Sequence, residues 1–222
     1  AGPAAMPDRL PYDELLAQGH EIVSIHISSK LSGTMESARA AAEHFPGAPV
    51  HVVDSHSTSL GLAMMVISAA SAALAGQSAA QVVQRLGQMR RDTTLLFVVD
   101  TLEYLEKGGR IGAARALLGT LLKIKPILTI EDGEIVPFTT VRTKRKAVSY
   151  MVEHLAGLAG ERRVLASVAH AQAPEEVAQL EAMLRDRLNC DDVFVGEIGP
   201  VIATHGGPGL VGAAICPVEP PP

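Results

Sequence analysis

Short apolar runs and longer segments of helical period alternate along the chain. Residues 12–18 read as the end of a helix, and Glu21-Ile22-Val23-Ser24-Ile25-His26-Ile27 form a first apolar run of strand length. Residues 35–44 then read as a helix, with Thr34 as its N-cap. A second strand at 50–54 leads into an apolar helix at 60–75. Val82, Val83, Leu86 and Met89 recur at helical spacing, so 77–90 is a further helix, and 95–100 is a third strand. Strands alternating with helices of this length predict right-handed βαβ units on a parallel sheet.

After residue 96 the pattern changes. Short helices are expected at 101–110, ending at Gly108-Gly109, and at 113–122. Residues 125–130 and 135–141 flank Glu131-Asp132-Gly133-Glu134, where Asp-Gly supplies a hairpin turn. Then follow a helix at 144–158, a strand at 163–170, a helix at 174–188 and a strand at 193–198. A last strand-rich unit is expected from 202–205, a Gly/Pro loop and 210–216. The reading is α/β with two domains: an N-terminal parallel-sheet α/β domain over 1–95, and a C-terminal α+β domain over 96–222. Little chain precedes Ile22, so the first strands of the N-terminal domain are expected to be missing. Residues 1–7 read as a linker or a cut end, and 217–222 as a disordered tail.

Composition narrows the function. The 222 residues suffice for one large or two small domains. They are 47% hydrophobic but only 3% aromatic, so the core is aliphatic and Ala-rich, as helices on a Val/Ile/Leu sheet require. A formal net charge of −5 argues against nucleic-acid binding by general basicity. Cys190 and Cys216 are far apart and suit a reducing, cytoplasmic setting. No apolar stretch reaches the roughly 18 residues of a membrane span. Residues 1–7 lack the pattern of a signal peptide.

Ser28-Ser29-Lys30-Leu31-Ser32-Gly33-Thr34 links the first strand to a helix. Turn and capping chemistry would account for some of these hydroxyls. Donors at a strand's carboxyl end beside a helix N-terminus also form an anion site. No glycine precedes Ser32 in the G-x-S-x-G frame, which excludes a nucleophile elbow. Ser55-His56-Ser57-Thr58-Ser59 is a second hydroxyl cluster, either a helix cap or, if the strands are neighbours, the other wall of the same crevice. Gly108-Gly109-Arg110 lacks the frame of a Walker loop and reads as a helix C-cap, although Arg110 could grip an anion bidentately. Arg142-Thr143-Lys144-Arg145-Lys146 is a solvated helix start or a patch facing a partner or a phosphate. In Thr204-His205-Gly206-Gly207-Pro208-Gly209 the glycines permit close backbone approach, and His205 could donate to an oxyanion. The other histidines show no metal-binding spacing. The helices at 60–75 and 113–122 are core elements, or the deformable wall of a hydrocarbon tunnel.

I-S-S-K-L-S-G-T, H-V-V-D-S-H-S-T-S-L-G-L, F-V-V-D-T-L-E-Y-L-E-K-G-G-R-I-G, L-L-G-T-L-L-K-I-K-P-I-L-T-I-E-D-G-E-I, V-R-T-K-R-K-A and H-G-G-P-G-L-V-G occur in that order. Together they resemble the DegV family of bacterial fatty-acid-binding proteins, from about residue 12 to 216. The resemblance implies a long-chain fatty acid held between two α/β domains, with no cofactor, no metal and no catalysis by this chain. It also implies presentation of the carboxylate to an ATP-dependent fatty-acid kinase, which makes acyl phosphate for phospholipid synthesis. A transient contact with a membrane surface is compatible with such a cargo. Ser32 matches the family's carboxylate-binding serine, with Ser29, Gly33 and Thr34 in the same turn, and His205 the histidine that completes the network. Arg110 and Arg142 match basic positions near the head group, or where the kinase docks. Family members carry a further N-terminal segment with a Thr-Ser-x-Pro-Ser loop whose threonine touches the carboxylate. Residues 1–7 stand where that loop would end and hold no such threonine, so the expectation is either a fragment of a longer chain or a head-group site built differently. The alternative is a phosphotransferase or hydrolase acting on a small anion, with His205 as general acid/base. No pre-paired base and orienting group is visible in the sequence to support it.

Overall fold

The computed structural model describes residues 12–120 and 124–218. The expectations for 1–7, for 121–122 and for the tail beyond 218 lie outside the described residues. β1 (Ile22–His26) and β2 (Val50–Asp54) pair in parallel, from Ile22 opposite Val50 to His26 opposite Asp54. α2 (Thr34–Ala42) makes the crossover between them. Alternation along β1 gives its two faces different work. On one face Tyr12, from α1 (Tyr12–Ala17), donates to Ser24 Oγ at 2.7 Å, and Ser24 Oγ lies 2.7 Å from His26 Nε2. On the other, Val23 and Ile25 pack on the core built around α3 (Ser59–Leu74) and α4 (Ala79–Asp92). α4 starts in a capping box, Ser78 with Gln81, two residues later than the pattern predicts.

The second sheet has six strands in the order β5-β4-β3-β8-β6-β7. They are β3 (Thr94–Val98), β4 (Lys125–Glu131), β5 (Glu134–Val141), β6 (Val164–His170), β7 (Val193–Glu197) and β8 (Val211–Pro217). Only β6–β7 is parallel; the other pairs are antiparallel. The Asp-Gly turn is confirmed, with Asp132 and Gly133 both at positive φ (47° and 83°), as a tight hairpin requires. Leu95 and Phe97 face α3 and α4, whereas Leu96 and Val98 face α6 (Lys144–Ala159) and α7 (Pro174–Arg187). The layers therefore run from the small parallel sheet through α3 and α4 to the large sheet, and on to α6 and α7.

Three local expectations are corrected. The strand expected to extend the parallel sheet is β3, which pairs antiparallel with β4 and β8 in the larger sheet. The two-helix connection α3–α4 carries the chain across to that sheet, and both faces of β3 are buried there. β3 spans the expected boundary between residues 95 and 96, so a division by sheets falls before Thr94. The helix expected at 113–122 is a 3-10 helix, Gly112–Thr120. Gly112 enters it at φ 50°, with the Ile135 carbonyl where a Cβ would stand. Residues 202–205 are not strand but part of α8 (Pro200–Gly206), started by Pro200 and stopped by Gly207 at φ 76°.

His26 is buried, and burial pushes its pKa below the ordinary 6.5, an effect that neighbouring Asp54 only partly offsets. As pH falls below about 6.5 the unfolded chain takes up this proton while the folded chain does not, so stability declines with falling pH. Above that window the residue contributes no slope. Urea unfolding at pH 7.5 and 5.5 is expected to show this loss, reduced in His26→Gln.

Candidate functional site

A cavity of about 620 Å³ opens between the two sheets. Its polar end is made where the β1–α2 turn meets the start of α3, the segment after α5 (Glu103–Lys107) and the end of α8. The turn is wound around buried Ser28, whose carbonyl accepts the N–H groups of Leu31 (3.0 Å) and Ser32 (3.1 Å). Ser28 Oγ donates 2.8 Å to the Gly133 carbonyl, pinning the turn to the β4–β5 hairpin of the other sheet. Lys30 and Glu134 add a half-exposed ion pair at 3.3 Å, a minor contribution.

Thr34 is not the N-cap of α2: Gly33 occupies that position and Thr34 is the first helical residue. Ser32 Oγ instead accepts from the Thr34 N–H at 3.3 Å and lies 2.8 Å from Thr34 Oγ1. Ser32, Gly33 and Thr34 all line the cavity, as do Thr58 and Ser59 at the start of α3. The second hydroxyl cluster thus contributes to the same wall. Thr58 Oγ1 makes no capping bond and is buried without a hydrogen-bond partner among the described residues.

Arg110 and His205 complete this end. Arg110 Nε donates to the Leu31 carbonyl at 3.0 Å and Nη1 to the Gly108 carbonyl at 2.7 Å. It therefore ties the turn to the α5 segment and keeps further N–H groups free for an anion. Burial lowers the His205 pKa below the ordinary 6.5, and the Arg110 charge lowers it further, which favours the neutral imidazole. Arg110 is the one charged side chain among the described lining residues.

The rest of the wall is apolar. Leu95 and Phe97 of β3, Ile130 and Ile135 of the hairpin, and Val201 and Ile202 of α8 line it. For the helix at 60–75, read as a core element or a tunnel wall, this favours the core. Only Ser59 and Leu60 of α3 reach the cavity, while Met64 and Met65 are buried in the core.

Two expected site residues lie elsewhere. Ser29 is exposed, and its N–H donates 3.3 Å to Asp54 Oδ2. Burial would raise the Asp54 pKa, but hydrogen bonds from Ser29 and His56 outweigh it and hold the carboxyl below its usual range. Ser29 thus braces the turn from behind. Arg142 is exposed at the end of β5, away from the cavity lining. In the adjoining basic run, Lys144 is paired with Asp100 (3.5 Å) and Glu176 (3.1 Å). Sequence reasoning missed the clamp role of Ser28 and the apolar wall from β3 and the hairpin. A single signal for the first was available, a serine directly after the apolar run that ends at Ile27.

No group of three or more His, Cys, Asp or Glu side chains placed to hold a metal occurs among the described residues. No helix among them is long and apolar enough to cross a membrane. Fold and cavity together define a two-sheet α/β protein whose cavity is polar at one end and apolar over the rest. Residues 10–218 match the DegV family, whose members are described as uncharacterised proteins, and the chain belongs to that family. A DegV domain-containing protein of Deinococcus radiodurans is 43% identical over 211 residues, covering 94% of this chain and 74% of the relative. A fatty-acid-binding DegV family protein from Thermus thermophilus superposes with a TM-score of 0.88 at 40% identity, over 93% of this chain and 74% of that one. DegV of Bacillus subtilis, a fatty acid binding protein, superposes at 0.82 with 34% identity, over the same shares.

Proposed function

We propose that this chain binds one long-chain fatty acid without transforming it. The carboxylate sits among Ser32, Thr34, Arg110 and His205, and the acyl tail runs along Phe97, Ile130, Ile135 and Ile202. The observation that carries this reading is the segregation of the cavity: hydroxyls, imidazole and one cation at one end, aliphatic side chains over the rest. Its volume falls within the range of about 300–1,000 Å³ of small-molecule sites. The fatty-acid-binding structural relatives support the same ligand class. The packing of His205 Nδ1, buried against Gly108 without a hydrogen-bond partner among the described residues, favours a binding role over a hydrolase with His205 as general base.

The wider reading places the chain in the cytoplasm, delivering its acid to an ATP-dependent kinase that forms acyl phosphate for phospholipid synthesis. Arg142 and the exposed Arg145 and Lys146 are the surface offered to that kinase. Val201 lines the cavity and is 76% exposed, an apolar contact suited to transient exchange with a membrane surface. Solvent extraction of purified protein followed by mass spectrometry tests the ligand. A stoichiometric fatty acid is expected in wild type and a depleted one in Ser32→Ala. Extracts without fatty acid from protein exposed to it would overturn the reading.

A further inference from the structure

The two glycine motifs interlock. Gly108 closes α5 at φ −77°, a conformation open to any residue, so its backbone does not call for glycine. Space does. A Cβ there would overlap His205 Nδ1, lie 2.9 Å from His205 Cε1 and lie 3.0 Å from the Tyr104 carbonyl oxygen. The arrangement is reciprocal, because a Cβ on Gly207 would overlap the ring of Tyr104. The imidazole of α8 thus fills a gap in the α5 turn, and the ring of α5 fills a gap in the turn after α8. Gly109, at φ 70°, has nothing near its absent Cβ, so it answers the turn and not the packing.

This contact governs which ring nitrogen is available. His205 Nδ1 is buried against Gly108 without a hydrogen-bond partner among the described residues. The ring is therefore held by packing, and Nε2 is the nitrogen left open. With a proton there, it can donate to an anion in the cavity. The Gly108 carbonyl also anchors Arg110 Nη1, so one residue seats both groups. We propose that Gly108 is the positioning residue for His205: its missing side chain seats the imidazole with Nε2 directed to the head group. The inference rests on the fatty-acid reading of the cavity.

The test is a double-mutant cycle with hexadecanoic acid as probe. Gly108→Ala and His205→Ala are each expected to weaken binding about tenfold, the size of a hydrogen bond to a charged group, and the double variant no further. Binding of hexadecanol is expected to change little. Gly109→Ala is expected to lower the thermal midpoint but keep the affinity. Should Gly108→Ala fold poorly, the double variant should recover, because removal of the imidazole makes room for the new methyl. A histidine NMR titration supplies a readout that needs no ligand: Gly108→Ala should move the His205 pKa towards its ordinary value. Wild-type affinity and an unmoved titration in Gly108→Ala would overturn the proposal, as would losses that add in the double variant. If wild type does not bind the acid but the His205 titration moves, the fatty-acid reading fails while the seat stands.

Discussion

Arg110→Ala is expected to weaken binding of a long-chain carboxylate by about 10- to 100-fold, the largest loss of any single head-group substitution. The guanidinium spends Nε on Leu31 and one Nη1 hydrogen on Gly108, leaving the rest of its fork for the ligand. No carboxylate among the described lining residues competes for it, so the anion meets an uncompensated cation. On the fatty-acid reading, a charge-assisted bond here would replace the carboxylate's hydration at the polar end of the cavity. Truncation also unties the Ser28–Thr34 turn from the α5 segment. Arg110→Lys should fall between the two, keeping charge but losing the fork. Displacement of a fluorescent fatty acid measures all three proteins. Equal affinities would remove Arg110 from the site.

Shortening the ligand is the second large effect. Each methylene transferred from water to the apolar wall contributes about 0.8 kcal/mol. Dodecanoic acid should therefore bind about 3 kcal/mol more weakly than hexadecanoic acid, more than about a hundredfold. Calorimetric titration of an even-numbered series should show this slope until the tail outgrows the wall of Phe97, Ile135 and Ile202. A flat series would mean that the head group alone is held.

What was legible in the sequence was local. Asp132-Gly133 announces its hairpin because positive φ at both positions is a demand that few residues meet. The hydroxyl turn after β1 stands out for a different reason, being denser in donors than a cap requires. The sheet to which β3 belongs was not legible, since Leu95–Val98 is apolar throughout and shows no alternation to mark a face. The same lack of contrast hid Leu95 and Phe97 as cavity wall. α8 was read as strand because its signals, Pro200 and Gly207, frame only a few residues. Gly108 reads as a cap and is one, and only the fold shows that it also faces His205. Ser32 and His205 could be joined beforehand only through family resemblance, because no periodicity links residues on different sheets.

On the proposed reading, the cavity recognises an anionic head group and a long apolar tail together. Calorimetric titration of the purified, delipidated chain with hexadecanoic acid, and separately with hexadecanol, tests it most directly. Saturable one-to-one binding of the acid is expected, with the alcohol weaker by about tenfold or more. Absence of saturable acid binding, or an alcohol bound as tightly as the acid, would contradict it.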